Sequence, residues 1–308
     1  MPPSLAPQRS YLWGCGLIVL SGLILSLGVL CIRGAGSSDA FQYLFWRAIG
    51  FTIAVGVLAS RRHAVGPLAQ VRRMGGFAWL SAAAMVVSQV GFIAAVKLTT
   101  VAEVFFLLSL APLMAAAIAL PLLGERIGLL GAAAIALALG GVALMTGADL
   151  GGVAPASSWY GRLMALTGAL AFAFYSLATR GAQARDLDAA LVATGLLTAL
   201  VSFVAVNGRG LPLFVSLHDT MLAILHGGVI LAAGLVLIAR GSRVVPGVTL
   251  IMLAQSESIA APIWTYIFFN ETTTLAVIAG GALILLAVVL QAADGTRQAA
   301  GPGSGARH

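Results

Sequence analysis

The segment from Met252 to Glu271, MLAQSESIAAPIWTYIFFNE, is apolar enough to lie in a bilayer, yet it carries Gln255 and Glu257 in its interior. A carboxylate at membrane depth costs at least ~2.5 kcal/mol even on lenient insertion scales, so Glu257 needs a role. Four more polar side chains interrupt other apolar runs: Arg47 in FQYLFWRAIGF, Gln89, Glu103, and His226 in MLAILHGGVI. Counting ~1.5 Å per residue from the run ends puts all of them in one depth band in the outer half, with Glu103 the shallowest. Such groups form packing ion pairs, recognise a charged solute, or carry a proton. All three roles are open to Glu257. Arg47 either snorkels outward, pairs with Glu103 or Glu257, or binds an anion. Gln89 and Gln255 bridge helices or line a cavity, and His226 packs or relays protons. Trp264 follows Glu257 by seven residues, two turns on, and so shares its face as a cap over a cationic or apolar solute.

These residues do not make a catalytic centre. His63, His218, His226 and His308 are scattered, with neither H-E-x-x-H nor metal-ligand spacing. There is no G-x-x-x-x-G-K-[ST] loop, and Lys97 is the only lysine. Catalytic residues, a metal and a cofactor are therefore not expected. A channel is disfavoured too, for lack of repeated acidic or carbonyl-donor motifs suited to a filter.

The elements that must position the polar groups follow from composition. Of 308 residues 60% are hydrophobic and only 9% charged, and the mean hydropathy is +1.03. A soluble domain carries nearer ~25% charged residues. This is an all-α integral membrane protein. Segments of roughly 20 apolar residues, the length needed to cross a bilayer, fall at 11–32, 40–60, 75–96, 99–121, 127–147, 159–179, 187–207, 219–239, 245–268 and 273–291. The first runs too far to be a secretory h-region. The net charge of +7 lies in short loops, which fits topology rather than nucleic acid. With a cytoplasmic N-terminus, twelve arginines fall on inside segments and Arg33, Lys97, Arg162 and Arg209 outside. Both termini are then cytoplasmic, in the inner (plasma) membrane. Tyr43, Trp46, Trp159, Trp264 and Tyr266 fall near the outer boundary, where an aromatic belt is expected. Cys15 and Cys31, ~24 Å apart along one helix, cannot bridge.

The chain also repeats itself. WGCGLIVLSGLILSLGVLCIRG from Trp13 aligns without a gap with YGRLMALTGALAFAFYSLATRG from Tyr160, matching Arg33 to Arg180. LLGERIG around Glu125 corresponds to FFNETTT around Glu271, with Asn270 where the first copy has Gly124. Ten transmembrane helices thus divide into two five-helix repeats, 1–147 and 159–291, joined by a loop at 148–158 and followed by a flexible tail, 292–308. An odd number of spans per copy inverts the second in the membrane, an arrangement typical of transporters. Glu125 and Glu271 each fall in a turn before the next helix, where a carboxylate caps free N–H groups or serves a gate. Pro112 and Pro262 are candidate kinks, and Gly128, Gly131, Gly140, Gly141, Gly280 and Gly281 allow close helix packing.

This repeat, with LSLAPLMAAAIALPLLGERI in the fourth span and ESIAAPIWTYIFFNE in the ninth, resembles the EamA branch of the drug/metabolite transporter superfamily over nearly the whole chain. The resemblance implies a secondary transporter moving a small organic metabolite, an amino acid or similar amphipathic solute, with export as the leading direction. Proton-coupled uptake and multidrug-type efflux are the alternatives, ahead of an intramembrane enzyme or a channel. The expected partners are a small-molecule substrate, the lipid bilayer and, as candidate coupling ion, the proton. No nucleic acid is expected, and the protein is a monomer or homodimer.

Overall fold

The computed structural model describes residues 6–62, 65–123, 128–150, 159–183 and 186–300. The chain opens with α1 (Ala6–Ser26) and α2 (Gly28–Gly34), almost one rod, followed by α3 (Ala40–Arg62). A short α4 (Pro67–Arg73) in the basic loop leads to α5 (Gly76–Leu98), α6 (Val101–Leu108), α7 (Ala111–Leu123) and α8 (Leu129–Leu150). The second half holds α9 (Trp159–Gly181), α10 (Leu187–Gly208), α11 (Leu217–Leu225), a π-helical stretch at His226–Leu231 and α12 (Ala232–Gly241). It ends with α13 (Gly247–Ala254), α14 (Ser256–Phe269) and α15 (Leu275–Ala300). Arg33, at the end of α2, lies at one face of the bundle, and Arg62, at the far end of α3, at the opposite face.

Nine stretches among the described residues are long and apolar enough to cross a bilayer. The sequence pattern suggests ten, and the difference lies at 245–268, where the helix breaks at Gln255 into α13 and α14. There the amide of Gln255 bonds the carbonyl of Met252, a tightened turn that ends the regular ladder. The local sequence Gln-Ser-Glu-Ser supplies competing side chains: Ser258 Oγ donates to Gln255 Oε1 at 3.4 Å. Pro262 is therefore not where this helix breaks; α14 runs on through it. In the fourth segment the break falls at Ser109–Leu110, where Leu110 N bonds Leu107 O. Pro112 follows as the second residue of α7, a position that tolerates its missing N–H. The two breaks, Ser109 and Gln255, stand at the same separation as Glu125 and Glu271.

Helices pack in long pairs: α5 along α9, α8 along α15, α3 along α10, and α1 along α12. At several contacts the backbones come closer than a side chain allows. In the α8–α15 seam a Cβ on Gly141 would lie 2.6 Å from the Gly280 carbonyl, and one on Gly280 2.5 Å from that of Gly141. Beside the π-helical stretch a Cβ on Gly227 would lie 1.9 Å from the Arg47 carbonyl, so α3 rests directly on that backbone. A π-bulge widens the helix by one residue per turn and often marks a functional site; here it aims His226 inward, 2% exposed.

The expected tail at 292–308 is helical through Ala300. The reason is that the α15 sequence has no proline, and Asp294 Oδ2 accepts the Gly128 amide at 3.2 Å, tying this end to the start of α8. Residues 301–308, most of the 148–158 loop, and Glu125 with Arg126 lie outside the described residues.

Replacing Gly227 with Ala forces α3 away from the π-helical stretch and should cost about 1–3 kcal/mol, the usual range for overpacking. Gly140→Ala, where a Cβ meets nothing within 4 Å, should leave stability unchanged. Melting of the detergent-solubilised protein distinguishes them, and equal shifts would contradict the packing described.

Candidate functional site

The polar side chains singled out by sequence occupy three levels instead of one band. At the Arg33 face, Glu103 sits in the first turn of α6. Thr100 caps that helix, its Oγ1 accepting the Glu103 amide at 3.4 Å. The sequence Thr-x-x-Glu at 100–103 is the form of a capping box, but the Glu103 carboxylate is engaged elsewhere. Its Oε1 accepts from Arg162 Nη2 at 2.7 Å, both side chains being nearly inaccessible. Its Oε2 accepts from the Thr99 hydroxyl. Sequence placed Arg162 only as a charge outside the membrane; the structure makes it the buried counterion of Glu103.

Glu271 belongs to the same face and is not a cap of its own following helix. Thr274 occupies that place, its Oγ1 accepting from Val277 N at 3.3 Å. Asn270 takes the left-handed conformation (φ 49°) at the end of α14, where glycine is usual and asparagine tolerated. This turns Glu271 back across the bundle. Its Oε1 accepts the Val101 amide at 2.6 Å, the free N-terminus of α6, and its Oε2 accepts from Arg33 Nε at 2.8 Å. Arg33 Nη2 also donates to the Thr99 carbonyl at 2.7 Å. A carboxylate at a helix N-terminus meets unpaired N–H groups and the positive end of the dipole.

The rest of this face is tied as closely. Asp219 Oδ2 accepts the amides of Ser37 and Ser38 at 3.1 and 2.8 Å, and Lys97 Nζ donates to the Ala35 carbonyl. Trp46 Nε1 donates to Leu213 O at 2.9 Å. Beneath these contacts the space lined by Tyr43, Trp46, Asp219 and Thr220 is about 10 Å³, room for one water.

The second level lies deeper, ~10–14 Å from the ends of the helices at 1.5 Å per residue. Arg47 is 4% exposed and neither snorkels nor meets a carboxylate. Its Nη1 donates to Gln89 Oε1 at 2.6 Å, and its Nε has no partner. Tyr43 is not part of an interfacial belt. It is buried, and its hydroxyl lies 2.9 Å from His226 Nδ1. The periodic position of Tyr43, one turn before Arg47 on α3, was a signal that both share an inward face.

Glu257 occupies a third level by itself. Its backbone lies against Gly22, where a Cβ would be 3.0 Å from the Glu257 amide. Gly22 is the midpoint of the Ser10–Gly34 span, so Glu257 is near the bilayer centre. Its side chain is half-buried, and among the described residues no hydrogen bond or ion pair reaches its carboxylate. Trp264, two turns on, donates from Nε1 to Ser26 Oγ at 2.9 Å. Between them Ser258 Oγ meets Ser109 Oγ at 2.9 Å, joining the two helix breaks.

The helices around these groups are buried unequally. Every residue of α6 from Val101 to Leu107 is buried, and α6 packs on α14 and α9. Residues 249–257, spanning most of α13 and the start of α14, are all part-exposed. Here α13 leans on α1 and α15, while α7 leans on α9.

Fold and site together define a polytopic α-helical membrane protein with ionised groups closing one face. Residues 12–147 match the EamA-like transporter family. That match, together with the apolar helices long enough to cross a bilayer, indicates a multi-pass membrane protein. Among the matching solved structures is a crystal structure with 19% sequence identity and a TM-score of 0.61, covering 92% of this chain and 98% of that one; this likeness shows the fold. No curated protein matches the chain.

Glu103→Gln leaves the Arg162 guanidinium buried beside a neutral amide and should cost about 3–5 kcal/mol. The double change Glu103→Leu with Arg162→Met removes both charges and should recover most of that loss. Melting temperatures of the three variants test the buried pair; a double variant as unstable as the single one would contradict it.

Proposed function

We propose that the protein is a secondary transporter that moves a small organic metabolite, an amino acid or similar amphipathic solute, by alternating access, with export the expected direction. The observation that carries this reading is the contrast between α6 and α13. Both are eight residues long, and Val101 and Gly247 start them at the separation that also relates Glu125 to Glu271. Two such corresponding helices in one chain differ in surroundings: α6 is enclosed and α13 half-open. Inverted halves in different conformations, one face shut and the other open, are what alternating access requires.

The helix pairing supports the same reading. Exchanging the first and second five spans maps α3–α10 and α8–α15 onto themselves, and the α5–α9 seam onto α1–α12. Ten spans in two inverted repeats, 1–147 and 159–291, account for that pattern. With both termini cytoplasmic the Arg33 face is outer, and the state described opens inward.

Glu257 is the group assigned to the solute. An unpaired carboxylate at the bilayer centre, beside part-exposed helix, takes up the cationic group of a solute, or a proton when the solute is absent. That alternation gives proton exchange for solute. Arg47, buried without a carboxylate partner, supplies the complementary charge for an anionic group. Gln89 and Gln255 flank these positions, and Trp264 closes the level above Glu257.

Reconstituted protein screened against amino acids and related solutes, with and without a pH gradient, identifies the cargo. Glu257→Gln should then cut flux by about tenfold or more, the loss of a hydrogen bond to a charged group being worth ~1.5–3 kcal/mol. The variant should remain folded and inserted. Normal flux at every pH would remove Glu257 from the mechanism.

A further inference from the structure

The ions at the Arg33 face form one connected chain, not separate pairs. From one end it runs Arg162 to Glu103, Glu103 to the Thr99 hydroxyl, and the Thr99 carbonyl to Arg33. It continues from Arg33 to Glu271 and ends at the Val101 amide. Two of its members come from the second half of the protein, Arg162 on α9 and Glu271 after α14. The others, Glu103, Thr99, Arg33 and Val101, belong to the first half. Thr99 is the central link, using its side chain toward one carboxylate and its carbonyl toward the other's arginine. The chain therefore clasps α6 from both sides.

We infer that this chain is the lock that holds the Arg33 face shut, with Glu271, bridging Arg33 and the α6 N-terminus, as the link that must release for that face to open. The inference rests on the alternating-access reading above and adds the named contacts that separate its two states. Three observations support it. The N-terminus of α6 is capped twice, by Thr100 and by Glu271, whereas the corresponding N-terminus of α13 has Pro246 before it and no side-chain cap. The capped helix is the buried one, and the uncapped helix the half-open one. Finally, Glu271 and Arg33 are 17% and 22% exposed as side chains, intermediate between the sealed Arg162–Glu103 pair and the Arg209–Asp39 pair, at 50% and 35%. A link at that depth is reachable by water without being dissolved by it. The deeper pair anchors α6 to α9, and the shallower link can exchange its partners for water when α14 moves.

An ordinary surface ion pair makes a different prediction, and Arg209–Asp39 on the same face supplies the comparison. The reporter is Ser109→Cys, placed where Ser109 meets Ser258 beneath the lock, in a chain with Cys15 and Cys31 changed to alanine. A membrane-impermeant maleimide is applied to one face of the reconstituted protein at a time, with no solute present. Glu271→Gln and Arg33→Gln should each speed labelling from the Arg33 face by about tenfold, the scale of a 1–3 kcal/mol coupling, and slow it from the opposite face. The double variant should be no faster than either single one, because both remove the same link. Arg209→Gln should leave the rate unchanged. Rates in Glu271→Gln and Arg33→Gln within about twofold of the parent, or a rise of equal size at both faces, would overturn the lock. Because the readout needs no solute, a failed transport assay and a failed lock are told apart.

Discussion

Hydrocarbon supplies no hydrogen-bond partners, so every charge and every free backbone group inside a bilayer must be satisfied by the protein itself. The structure depends on how this chain meets that demand. Regular helix satisfies most of the backbone. At the breaks near Ser109 and Gln255 the chain exposes helix ends in mid-membrane, and small polar side chains gather there: Ser109, Gln255 and Ser258. At the Arg33 face the start of α6 is another such end, and it recruits Thr100 from its own segment and Glu271 from the far end of the chain. The tie between the first and second halves is thus a consequence of an unsatisfied helix N-terminus.

The same demand separates charges that are structural from those free to act. Glu103 and Arg162 neutralise each other in a place that water does not reach. Removing either takes a buried charge partner from the other, which makes the pair a fixed joint. Arg47 has an amide but no carboxylate, and Glu257 has no partner among the described residues. Charges left without counterions at depth are costly, and a site that binds a charged cargo recovers that cost only when loaded. In a transporter this is useful, because the empty and loaded states then differ in electrostatic energy.

Much of this was legible in the sequence, for reasons particular residues make plain. Apolar run length places the helices, and the matched pair Glu125 and Glu271 anticipates the equal separation of Ser109 and Gln255. Counting along a helix gives depth but not the direction a side chain faces, so it leaves Arg47 to snorkel, to pair with Glu103 or Glu257, or to bind an anion, and does not single out Gln89, the neighbour it meets. Arg162 was hidden by its usefulness as a topology marker, since a positive charge at a span end needs no further explanation. Glu271 was read against its own helix because capping is local in most proteins; the left-handed Asn270 that turns it across the bundle is a tertiary choice. The π-helical stretch at His226 left one trace, the Gly227–Gly228 pair, whose meaning depends on Arg47 lying against it.

The central claim is that one face is closed while the other is open, and that the two exchange. It is tested most directly by electron–electron distance measurements on spin labels placed across each face of the reconstituted protein. One pair joins Ser37 to Thr272 at the Arg33 face, and the other Gly76 to Gly247 at the opposite face. The account predicts a short distance for the first pair and a long one for the second. On addition of the transported solute a second population should appear with the relation reversed. Two fixed distances, or two that lengthen together, would contradict it.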